Sequence, residues 1–244
     1  MRLCRPSIYL AVLAVGLINV GFHLFSRAQI SSDFVATFGG PALTMAVLLL
    51  GLNRHIAGTQ KPARLWTAVA VAFEGFMLIN LLYLTLRVAD HISMMTNFAY
   101  VDTGLAAADR MLGLDWLAYW DWMHAHPALH GPLSLAYGKL ELATVIIILA
   151  FILVGRLDRA RTFIEAFVVC AIISIVFGMV MPARGQVETL IADVSVYSGF
   201  DFTPGVYHLG ALDYLRHSPA PVLIGEKPLL GLVTFPSLHT ATGV

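Results

Sequence analysis

Long apolar runs separated by short polar stretches dominate the chain, and the placement of charge between the runs gives them their meaning. Runs at about 8–25, 34–52, 66–86, 133–154 and 163–181 are each long enough, as helices, to cross a hydrocarbon core of about 30 Å. A sixth opens at Pro236 and runs to the end of the sequence. The pattern predicts an all-α polytopic bundle forming one membrane domain over residues 1–244, with five full spans and the start of a sixth. The first run follows a short basic start, Met1 to Arg5, and a signal peptide is its rival reading. At about 18 residues it exceeds the usual apolar core of such a peptide, which favours an uncleaved span. Gly39-Gly40-Pro41 predicts a kink in the second span without disqualifying it.

Two longer connections interrupt the runs. The first, about 87–132, holds Asp102 and Asp115 in positions suited to helix N-caps. Trp116, Tyr119, Trp120 and Trp122 follow within two turns, and such amphipathic rings settle at the headgroup boundary, so an interfacial helix is predicted there. The second, from Pro182 to Val233, is about fifty residues rich in Gly, Pro and Tyr.

Composition supports the membrane reading, because 58% of residues are hydrophobic and only 12% charged, against about 45–50% and 25% in soluble domains. Fifteen basic residues balance fifteen acidic ones, so no bulk field points to nucleic acid. Cys4 and Cys170 fall at different depths, which gives no disulfide or metal framework. Counted by connection, residues 53–64 carry +3 and 155–162 carry +2, whereas 87–132 carry −3 and 182–233 carry −2. Short positive loops stay in the cytoplasm. Lys61 is therefore expected inside, Asp193 and Lys227 outside. Crossing parity then brings Pro182-Ala183-Arg184 and Pro236-Ser237-Leu238-His239 to one outer face.

Glu74, Asn80, Lys139 and Glu141 are among the polar residues that fall within apolar runs. An ionisable group in a span is costly and is a functional candidate by default. The plainer readings are a buried structural pair for Glu74 and a snorkelling chain for Lys139. A transporter lined by these four would show internal repeats and paired broken spans, and the sequence has neither.

The stretch Thr234-Phe235-Pro236-Ser237-Leu238-His239-Thr240-Ala241 carries the candidate chemistry. Pro236 suits the first turn of a helix, whose unpaired N–H groups attract anions. Ser237 would add a hydroxyl, and His239 has the side chain able to pass a proton near neutral pH. The residues alone also fit an apolar helix with an incidental histidine. Phe235-Pro236-Ser237-Leu238-His239 resembles the second signature of the type 2 phosphatidic acid phosphatase superfamily, in the form found in the branch with inositol phosphorylceramide synthases. Asp109-Arg110-Met111-Leu112-Gly113-Leu114-Asp115-Trp116 is similar to a stretch of bacterial members of that branch.

The resemblance implies phosphoryl or phospho-headgroup transfer from a membrane lipid, with Ser237 holding phosphate and His239 protonating the leaving group. It implies no metal and no cofactor, and a site on the outside of a bacterial plasma membrane. The superfamily's first signature, a lysine, six residues and then Arg-Pro, is missing. Arg184 is the positional counterpart for binding phosphate, with Lys227, Arg216 and Lys139 behind it. The nucleophilic histidine belongs to a later His-x-x-x-Asp pattern that residues 1–244 lack; His208 comes nearest, with Asp213 five positions on. The chain is accordingly expected to continue past Val244. The alternative is a non-catalytic membrane protein of the same fold.

Overall fold

A computed structural model describes residues 5–59, 64–197, 203–219, 221–227 and 229–243. The molecule is an all-α bundle whose spans follow the apolar runs. Helix α1, Pro6–Phe25, starts on a proline, where the missing N–H costs nothing. Helix α2, Ser32–Ala57, carries Pro41 internally. Helix α3, Arg64–Leu82, continues through a π-helical turn at Tyr83–Arg87 into α4, Val88–Met94. Beyond the third span lie α5, Asp102–Met111, and α6, Trp116–His124. Helices α7, His130–Gly138, and α8, Leu140–Leu153, occupy the fourth run, and α9, Leu157–Val180, the fifth. Among the described residues, four helices are long and apolar enough to cross a membrane, or five if a bent pair in the fourth run counts as one.

Three local expectations change. The third span runs on to Met94, because Arg87 and Asp90 are carried on the helix rather than in a loop. The charge count survives this extension: residues 95–132 keep four acids against one base, again −3. The fourth run is bent by 62° between Pro127–Gly138 and Leu142–Leu153. Lys139 sits at the break with φ −106° and ψ 3°, following Gly138, which after proline is the residue type least able to hold a helix. Asp102 is the first residue of α5 rather than its cap, its carboxylate being used elsewhere, whereas Asp115 does cap α6 by accepting from Ala118 N–H at 3.0 Å. Lys61 lies outside the described residues, as does the side chain of Glu141.

Two packed regions hold the bundle. Ile8, Val12, Val71, Leu78, Ile148, Ile152, Ile164 and Val168 join spans one, three, four and five. The second region caps one end. There, α10, Leu209–His217, and the strand pair β1, Ala28–Ile30, with β2, Val222–Ile224, pack on Phe34, Val88, Ile92 and Leu232. The strands run parallel with Ala28 opposite Val222, tying the loop after span one to the segment after span five. Gly225 follows β2 at φ +93°, and a Cβ there would lie 2.6 Å from Phe34. Only glycine fits both the backbone and the space. Arg27 locks the junction, donating to the carbonyls of Leu215 at 2.6 Å and Arg216 at 3.1 Å.

The polar residues inside the spans find structural partners. Glu74, 3% exposed, accepts from the Tyr9 hydroxyl of span one. Asn80 donates to Phe76 O, one turn back, at 2.9 Å. Asn19 donates at 2.8 Å to Thr85 O, inside the π turn.

Candidate active site

The sequence predicts that two separated segments meet, and hydrogen bonds join them here. One is the turn Pro182-Ala183-Arg184-Gly185 that ends α9; the other is the strand-like approach Gly231–Thr234 that leads into Ser237 and His239. Thr234 Oγ1 donates to Ala183 O at 2.7 Å. The approach is pinned twice more. Asp90, on α4, accepts from Leu232 N–H at 3.0 Å and from Val233 N–H at 3.2 Å, and the Tyr207 hydroxyl donates to Gly231 O at 3.1 Å. Backbone amides that water cannot reach need such partners, so a buried carboxylate of a spanning helix here does the work of a neighbouring strand. Gly178 of α9 gives the approach its seat: a Cβ there would lie 2.6 Å from Val233 Cγ1.

The turn is fixed by the same device. Asp102 accepts from the N–H groups of Arg184, at 3.0 Å, and Gly185, at 2.8 Å. His208 Nε2–H donates to Arg184 O at 2.8 Å. Burial holds the His208 imidazole below its ordinary pKa, so it is neutral near pH 7. Burial likewise raises the Tyr207 phenol, which stays a donor.

Helix α11, Leu238–Gly243, begins two residues after Pro236, not on it. Ser237 precedes it and accepts from Thr240 N–H at 3.3 Å, the geometry of an N-cap. His239 stacks on Tyr137 of α7, with ring centroids 4.6 Å apart and planes within 13°. The bend after Gly138 is what leaves α7 on a line of its own, carrying Tyr137 to that stack.

Ser237 and His239 open on one cavity of about 470 Å³. Its polar end also carries Arg87, Asp90, Tyr137, Tyr207 and His208, together with Gly185 and Gln186 of the turn. Its other end is apolar and passes between spans three, four and five, lined by Leu78, Ile79, Leu82, Ile148, Ile164, Phe167 and Ala171 among others. Arg184 is not among the lining residues. Its guanidinium donates to Asp213 at 2.5 and 3.2 Å and to Glu188 at 3.2 Å, and lies over the Tyr100 ring at 5.5 Å. The pair lowers the Asp213 carboxyl below its usual range and raises Arg184.

The structure therefore brings Ser237 and His239 together and sets Arg184 beside them, engaged by carboxylates. Sequence alone does not mark Arg87, Asp90, Tyr137, Tyr207 and His208 as site residues. The one available signal was a charged pair, Arg87 and Asp90, three positions apart where the third apolar run ends.

The sequence model of the PAP2 superfamily matches residues 103–244, more than half of the chain, including both segments of the site. The chain belongs to the PAP2 superfamily. No curated protein matches it, and no solved structure does. Membership gives this membrane bundle a phosphatase-like lipid phosphoesterase fold, and the matched region contains Ser237 and His239 at the cavity.

Proposed function

We propose that this PAP2 superfamily protein is an integral membrane lipid phosphatase or phosphotransferase, acting on a phosphate ester or phospho-headgroup. The observation that carries the reading is the shape of the cavity: one chamber has Ser237, His239 and a permanent cation at its polar end and an apolar wall between three spans at the other. A phosphate ester at the first and a hydrocarbon tail in the second fit a single amphiphilic substrate. The superfamily match and the Pro-Ser-Leu-His resemblance supply the reaction class.

In this reading Ser237 holds a phosphate oxygen and His239 is the general acid. A histidine nucleophile of the superfamily's His-x-x-x-Asp type attacks phosphorus and the bond to the leaving oxygen breaks. His239 gives that oxygen its proton, then takes one from the water or alcohol that releases the phosphoryl group. Tyr137, stacked on the imidazole, fixes its plane. Arg184, held by Asp213 and Glu188, serves by fixing the turn opposite Ser237 rather than by reaching phosphate itself. The loop charges support a site on the outer face of a plasma membrane, and the resemblance to the inositolphosphotransferase-like branch supports the finer class, transfer to a second alcohol.

The test is made on the intact gene product in mixed micelles. Removing a general acid costs about 10²–10⁴ in rate. His239→Ala should lose that much on a lipid phosphate with an alkoxide leaving group, and far less on a nitrophenyl phosphate whose leaving group needs no proton. Equal losses on both substrates would remove His239 from the acid's role.

A further inference from the structure

We infer that Arg87 of the third span, a residue outside the Pro-Ser-Leu-His segment and its partner turn, is the cation that binds the phosphate of the ligand in this cavity. The inference rests on the reading above, that the cavity receives a phosphate ester, and assigns the charge that such a ligand needs.

Among the described residues lining the cavity, Arg87 is the one with a permanent positive charge, and it shares that lining with Ser237 and His239. Its position is costly. Arg87 lies about 33 Å along the helix that starts at Leu65, at the far boundary of a hydrocarbon core, and an arginine on a spanning helix is rare unless it faces a polar cavity. The backbone is shaped around it. Tyr83–Arg87 is a π-helical turn, the one such turn among the described residues, and it inserts an extra residue into an otherwise regular span. Insertions of this kind rotate the following side chains and gather at functional sites. Asn19 from span one donates to Thr85 O within the turn, which satisfies a carbonyl of the irregular backbone.

The surroundings direct the guanidinium toward the site. Its centre lies over the Tyr83 ring at 5.4 Å, and a Cβ on Gly231 would meet Nη1 at 3.1 Å. Glycine at 231 thus lets the cation lie close against the approach to Ser237. Arg184, the counterpart read from sequence, spends its fork on Asp213 and Glu188. A planar fork suits phosphate because two parallel N–H groups reach two oxygens.

The experiment measures binding of n-decyl phosphate and of n-decanol to the purified protein in neutral detergent, by titration calorimetry. The two probes share a tail and differ in the anion. Wild type should prefer the phosphate. Arg87→Gln should weaken decyl phosphate by about tenfold to a hundredfold, while decanol binds as before; Arg87→Lys, which keeps charge but not the fork, should fall between. Unchanged decanol binding certifies that each variant is folded, and Arg161→Gln, at the opposite end of the bundle, should change neither probe. If wild type prefers the phosphate and Arg87→Gln keeps that preference, the assignment of Arg87 is overturned while the phosphate-ester reading stands. Loss of the preference in Arg184→Gln but not in Arg87→Gln moves the cation to Arg184 and overturns it equally. A wild type that shows no preference at all takes down the phosphate-ester reading and this inference with it.

Discussion

Asp90 gives the sharpest test of how the site is held. Its carboxylate is 6% exposed as a residue and accepts from two consecutive backbone amides, Leu232 and Val233, five and four positions ahead of Ser237. Asp90→Ala leaves both N–H groups buried with no acceptor, and each orphan costs about 1–3 kcal/mol. The loss is therefore about 2–6 kcal/mol, set against a relief from no longer burying a carboxylate. Asp90→Asn separates these effects, since it removes the charge but keeps one accepting oxygen. For a chain of this length about 1 kcal/mol moves Tm by roughly 2–4 °C. Thermal unfolding in detergent should give Asp90→Ala a Tm lower by on the order of 5–20 °C, with Asp90→Asn in between. Hydrogen exchange adds the local readout: the amides of Leu232 and Val233 should be slow in the wild type and exchange fast in Asp90→Ala. Exchange at those two amides that does not change, or an Asn variant more stable than wild type, would refute the clamp.

Two further outcomes follow from neighbouring contacts. Burial holds His208 below its ordinary pKa, so the unfolded chain binds the proton more readily than the folded one; stability is full above about pH 6.5, the unfolded value, and falls as pH drops toward the folded pKa. Tm should therefore decline between pH 7.5 and 5.5, and His208→Gln should flatten that decline, which a pH series of melting curves measures. Gly178→Ala would press a methyl against Val233 and should cost about 1–3 kcal/mol; adding Val233→Ala should recover most of the lost Tm, and failure to recover would mean that Gly178 is not the seat of the approach.

The spans were legible because hydropathy over some twenty residues is a property of the segment itself. Ser237 and His239 were legible because they sit in one contiguous motif. What stayed hidden depends on contacts between distant residues. The third helix outruns its apolar stretch because Asp90 is satisfied by Leu232 and Val233, 142 and 143 positions away. Asp102 reads as an N-cap, yet its carboxylate goes to the turn at Arg184 and Gly185. Arg184 follows a span end in the expected place, but nothing local says that Asp213 will take its fork. Tyr137 is one aromatic among many until the bend at Lys139 sets it against His239.

The parallel pair of Ala28–Ile30 with Val222–Ile224 imposes an order on biosynthesis. The first strand leaves the ribosome about 190 residues before its partner is made. At roughly 5–20 residues per second this is a wait of about 10–40 s. During that interval α1 and α2 can enter the bilayer, but the end of the bundle that carries the cavity has no strand to close against. Ser237 and His239 thus come together only after five runs are already in the membrane. A chain stalled before Val222 would hold its spans without the cap that aligns Ser237 and His239.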